Sequence, residues 1–107
     1  MINNTHETAQ NFLKLYQAHQ SWSEATFGTE KGPTGPLRPL IEEAQEAIDC
    51  PDDITEYVDC LFLITDAARR AGFDLDELIS AGFDKLEVLK DRRYNRTPEG
   101  EPSYHEK

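Results

Sequence analysis

Glu43, Glu46, Glu56 and Asp59 are placed symmetrically about Pro51. Glu46 lies as far before Pro51 as Glu56 lies after it, and Glu43 and Asp59 form a second equidistant pair. If the flanking segments are antiparallel helices joined near Pro51, the pairs face each other roughly 7.5 Å and 12 Å from the turn. Within each helix the two acids are three residues apart and share a face. Four carboxylates converging on one small volume attract hard divalent cations, because Mg²⁺ and Mn²⁺ take oxygen ligands.

From Glu42 to Asp59 every charged residue is acidic. One reading is a solvated helix face with its caps. Against it, no Lys or Arg interleaves to form i,i+4 pairs. In addition, Glu56 and Asp59 flank the apolar Tyr57 and Val58. Repulsion between such carboxylates is about fourfold stronger at an effective dielectric of ~20 than in water, so a partly buried cluster needs protons or a cation. On the residues alone, a metal site and a solvated face both stay open. A bundle di-iron site would carry Glu-x-x-His, but the i+3 partners here are Glu46 and Asp59. No EF-hand loop is present. Mg²⁺ or Mn²⁺ fits the donor set best.

The elements that would hold these residues read as helices. Phe12, Leu13, Leu15, Tyr16 and His19 give a helix from about Thr5 to Ser21 or slightly beyond. Gly and Pro residues then predict a loop from Thr26 to Pro36. A second helix is expected from Leu37 to Asp49, ending before Cys50 because Pro51 disfavours helical geometry in the residue preceding it. Asp53 is the expected N-cap of a third helix, with Glu56 at N3 as in a capping box. That helix is apolar on most sides, from Ile54 to Ile64. Gly72 stops it, and Asp74, with Glu77 at N3, starts a fourth. From Thr97 the chain reads as an irregular polar arm. No strand-period segment occurs, so the expected class is all-α: a four-helix bundle in a single domain over residues 1–107, completed by self-association.

The chain has 107 residues, 21 acidic and 11 basic, with a formal net charge of -10. Such a balance disfavours nucleic acid as a partner. No apolar run suits a membrane span, and the N-terminus lacks signal-peptide features. Cys50 and Cys60 have no metal spacing and read as reduced thiols of a cytoplasmic protein.

Glu42-Glu43-x-x-Glu46 followed by Glu56-x-x-Asp59 resembles the signature of the MazG-like all-α nucleotide pyrophosphohydrolases. The wider sequence is similar to their dATP/dGTP branch, found in phages and prophages. Trp22-Ser23, Thr26-Phe27-Gly28, Gly35-Pro36-Leu37, Asp66-Ala67-x-Arg69-Arg70-x-Gly72, Lys85-Leu86-Glu87-Val88, Arg92 to Tyr94, and Glu101-Pro102 with His105 carry that likeness. The resemblance implies hydrolysis of dGTP or dATP to the monophosphate and pyrophosphate with Mg²⁺ or Mn²⁺. It implies Glu43, Glu46, Glu56 and Asp59 as metal ligands, and Glu42 and Glu43 as the catalytic acidic positions. Leu89 stands where relatives often carry Asn. Lys85, Lys90, Arg92 and Arg93 are the candidate phosphate contacts, against the plainer reading that they complement the dipole of the fourth helix. Trp22 and Phe27 are candidate base-stacking walls; alternatively, Trp22 anchors the core. His19 reads as a structural residue, and Asp66 and Arg70 as a surface i,i+4 pair. The expected assembly is a homodimer or homotetramer in a host cytoplasm. The competing reading is a non-catalytic helical interaction module with a solvated acidic hairpin; a carboxylate-bridged iron protein is a third.

Overall fold

The computed structural model describes residues 4–95, 100 and 103–106, with side chains through residue 92 and at residue 100. It contains four helices: α1 (Thr5–Phe27), α2 (Thr34–Asp49), α3 (Ile54–Arg70) and α4 (Leu75–Asp91). Two short strands follow, β1 (Arg93–Asn95) and β2 (Ser103–Glu106). The chain divides into two compact units, Met1–Gly72 and Phe73–Lys107.

In the first unit α2 packs extensively against α3, and α1 meets α3 over a smaller area. The α2–α3 turn is short and pinned. Cys50 leaves the helix at φ -131°, as its place before Pro51 requires. The Tyr57 hydroxyl donates to the Pro51 carbonyl at 2.8 Å. Gly72 adopts φ +98° just past α3, where a side chain would be strained. Its N–H donates to the Arg69 carbonyl at 2.9 Å.

Two boundaries and one cap differ from the sequence expectation. Helix α1 continues to Phe27, because nothing between Ser21 and Gly28 breaks it. Helix α2 begins at Thr34, three residues early. Pro36 falls in its first turn, where a missing N–H costs nothing. The Arg70 guanidinium approaches Gly35 closely: a Cβ there would sit 2.7 Å from Arg70 Nη1, and the flexible Arg70 side chain would have to shift. In α3 the Asp53 carboxylate caps Thr55, accepting from its N–H at 2.9 Å and its hydroxyl at 2.6 Å. Glu56 therefore does not complete the expected capping box there.

The second unit consists of α4 and the strand pair. Asp74 and Glu77 form the full reciprocal box that starts α4, with bonds of 2.8 and 2.9 Å. Strand β1 pairs antiparallel with β2, Tyr94 opposite Tyr104 and Asn95 opposite Ser103. The expected arm is thus ordered at residues 103–106. Thr97, Glu101 and Pro102 lie outside the described residues.

Asp74→Ala should lower stability by about 1 kcal/mol, the usual worth of such a cap. Denaturant unfolding of the purified protein measures this, and an unchanged midpoint would show that α4 does not depend on its cap.

Candidate metal centre

The pinned turn sets the register of α2 against α3; Glu43, Glu46 and Glu56 converge, and Asp59 stands beside Glu43 outside that group of three. Oxygens of Glu43, Glu46 and Glu56 lie within 4.8 Å of one another. Glu43 is within side-chain hydrogen-bond reach of Asp59, and Glu56 within reach of Glu46. These are the two pairings expected from symmetry about Pro51. Glu43 and Glu56 are half-buried, while Glu46 and Asp59 are exposed.

Crowding shows in the electrostatics. Burial, then Glu46, Asp59 and Glu56, hold the Glu43 carboxyl above the usual carboxylate value. Glu56 is raised by burial, then by Glu46, Asp53 and Asp59. The Oε1 of Glu56 is buried without any hydrogen-bond partner among the described residues. No Lys or Arg ion pair is formed by any of the four acids among the described residues. An orphaned carboxylate oxygen facing other carboxylates is what a divalent cation would satisfy. The neighbouring Cys60 is a free thiol. Burial, then Glu43, Asp59 and Glu56, push its pKa up, so it stays neutral and is a poor soft ligand. The donor set is therefore all oxygen and suits Mg²⁺ or Mn²⁺.

The remaining candidates fall elsewhere. Glu42 is exposed and outside the group of three. Trp22 is 57% exposed, so it does not anchor the core. It meets Phe27 edge-to-face at a centroid distance of 5.7 Å. Lys85 and Lys90 are exposed on α4, and Lys90 pairs with Glu87 at 3.3 Å. Arg92 is the half-buried C-cap residue of α4. Arg93 lies in β1, and its side chain is not among those described.

Asp66 corrects the sequence reading. It is buried, not part of a surface pair with Arg70, because it lies one turn beyond Phe62 on the face of α3 that meets α1. Ser23 Oγ donates to Asp66 Oδ2 at 2.8 Å, and Arg69 pairs with Oδ1. Arg69 also reaches His19 Nδ1 at 3.3 Å and lies over the Tyr16 ring. His19 stacks flat on Phe62 at 3.9 Å. Burial lowers the His19 pKa, Asp66 opposing and Arg69 adding to it, which keeps the ring neutral and able to accept. Arg70 instead approaches the Gly32 carbonyl. The Asp66-x-x-Arg69 spacing was the available sequence signal for this network.

A family model for dATP/dGTP pyrophosphohydrolase matches residues 15–107. The chain belongs to the dATP/dGTP pyrophosphohydrolase family. It is similar to the Eaa protein of Salmonella phage P22, 40% identical over 92 residues. That alignment takes in 86% of this chain and 29% of the phage protein, so the chain spans under a third of that relative's length. Among solved structures it is similar to the cyanophage S-2L MazG-like pyrophosphohydrolase bound to dGDP and three catalytic Mn²⁺ ions per active site. Identity there is 28%, the TM-score is 0.67, and 88% of this chain matches 96% of that one. The chain is thus an enzyme-family domain with the all-α MazG-like fold.

Both raised carboxyls bind protons more readily folded than unfolded. Their contribution to metal-free stability is complete below the ordinary value of 4.5 and is lost as pH rises through the raised folded values. Metal-free Glu43→Gln should therefore melt above wild type near neutral pH, with the gap closing as pH falls toward 4.5. Millimolar Mn²⁺ should raise the wild-type midpoint more than that of the variant. Melts in chelator and in Mn²⁺ decide this; a wild-type midpoint indifferent to Mn²⁺ would contradict a carboxylate metal centre.

Proposed function

We propose that the chain hydrolyses a purine deoxynucleoside triphosphate, dGTP or dATP, to the monophosphate and pyrophosphate with Mg²⁺ or Mn²⁺. The observation that carries this reading is the convergence of Glu43, Glu46 and Glu56 within 4.8 Å, with one buried oxygen of Glu56 left unpaired. Family membership and the cyanophage relative's bound dGDP and Mn²⁺ support it.

In this reading Glu43, Glu46, Glu56 and Asp59 hold the cation. When bound, it neutralises phosphate charge and acidifies the attacking water. A carboxylate of the cluster not fully used in coordination accepts a proton as the water attacks, and Glu43 is one candidate. Glu42 stands beside it in sequence as a second acid. Trp22 and Phe27 offer an exposed aromatic pair against which a base can stack. Lys85, Lys90, Arg92 and Arg93 supply the positive charge for the outer phosphates. A solvated interaction module would not need an unpaired carboxylate oxygen buried in its acidic hairpin.

Self-association as a dimer or tetramer belongs to the same reading. Ile41, Ile48 and Ile54 are each at least 70% exposed, and Tyr16 and Ala67 are the buried hydrophobics among the described residues. A chain with so little core gains by covering these residues with another copy. Among the described residues no helix is long and apolar enough to cross a membrane, and we place the reaction in the host cytoplasm.

Glu46→Gln and Asp59→Asn should each lose more turnover than the roughly hundredfold typical of losing an outer partner of a metal ligand. Their folds should persist by circular dichroism, and Glu42→Gln should lose much less. Chromatography of the products should give dNMP and pyrophosphate. An active Asp59→Asn beside a dead Glu42→Gln, or release of dNDP and orthophosphate, would overturn the assignment.

A further inference from the structure

A second polar site lies in the first unit, apart from the acidic cluster. A cavity of about 40 Å³ opens where the C-terminal turns of α1 and α3 meet. Ser23, Glu24 and Gly28 line it from the α1 side, and Asp66, Arg69 and Arg70 from α3. The Arg69 side chain is 9% exposed and that of Asp66 10%. Arg69 spends Nη2 on Asp66 and His19, yet its Nη1 is buried without a partner among the described residues. A carboxylate has about four acceptor sites. Ser23 and Arg69 are the hydrogen-bond donors to that of Asp66. The cavity wall thus carries Arg69, whose buried Nη1 is unpaired, and the Asp66 carboxylate.

The matching occupant is a flat group with a hydrogen-bond acceptor next to a donor. The volume admits the edge of such a group, not a whole ring. The ring would remain outside, where Trp22 and Phe27, the chain neighbours of Ser23 and Gly28, are exposed and in contact. Asp66 lies seven residues beyond Asp59 on one face of α3, roughly 10 Å along the axis. A ligand with its phosphates at the acidic cluster can run along that face toward the cavity.

Resting on the nucleotide reading above, we propose that this cavity reads the edge of the base and selects guanine. As the base enters, a shift of the Arg69 side chain uncovers Nη1, which donates to O6, and the Asp66 carboxylate accepts from N1–H or the 2-amino group. Adenine presents an amino donor where guanine presents O6. It would set donor against donor at Arg69, leaving Nη1 unpaired.

The test compares kcat/KM for dGTP, dATP and dITP, the last keeping O6 and N1–H but lacking the 2-amino group. Wild type should prefer dGTP and dITP to dATP by about tenfold or more. Arg69→Gln, checked for folding by thermal melt, should bring the dGTP/dATP ratio toward unity. If that variant does not fold, the wild-type series decides alone. Equal use of dGTP and dATP, dITP grouping with dATP, or a folded Arg69→Gln with the preference intact would each overturn guanine selection and leave the hydrolase reading standing. No turnover of any deoxynucleoside triphosphate would overturn both.

Discussion

Like-charge crowding between α2 and α3 is the constraint on which the rest of the structure depends. A helical hairpin ordinarily places apolar residues along its seam and acids outside. Here Glu43 and Glu56 are half-buried at the seam and within reach of two further acids. Without a cation the hairpin tolerates them by raising carboxyl pKa values, which opposes folding at neutral pH. Neighbouring features hold the register regardless. The Tyr57–Pro51 bond fixes the turn, and Asp53 caps α3 through Thr55, leaving the Glu56 side chain free for the cluster. Such an arrangement gives up stability to keep carboxylates together, as functional sites commonly do.

The second organising interaction is the buried network joining α1 to α3. Ser23, His19 and Arg69 converge on Asp66, and Phe62 and Tyr16 wall the same region with aromatic faces. Partly buried charge of this kind specifies a geometry more than it adds stability. In the first unit it fixes the helix that carries Trp22 and Phe27 relative to the helix that carries Glu56 and Asp59. The two ends of α3 thereby acquire different chemistry: clustered carboxylates near its start and a paired guanidinium near its finish.

The acidic hairpin was legible because its signal is local and symmetric. Helical rise and a Pro-centred turn suffice to pair Glu46 with Glu56 and Glu43 with Asp59. The Asp74 capping box was equally legible, being a four-residue pattern with one mechanism. The start of α2 was not, since Gly35 and Pro36 read as breakers until their places in a first turn are known. Asp66 was misread for a different reason. Its i,i+4 relation to Arg70 suits an exposed pair, and only the packing of α1 shows which face of α3 is inward. Trp22 was open between core and surface, and the small size of the described core decides for the surface. The strand pairing of residues 103–106 with 93–95 has no short-range signal in the chain.

Manganese binding is the most direct test of the carboxylate centre. Free Mn²⁺ gives an electron paramagnetic resonance signal that diminishes when the ion is bound. Titrating the metal-free protein with Mn²⁺, without nucleotide, should remove that signal for wild type. Glu56→Gln, folded by circular dichroism, should leave most of it. Equal loss of signal in wild type and in Glu56→Gln would contradict the assignment of the α2–α3 carboxylates as the metal centre.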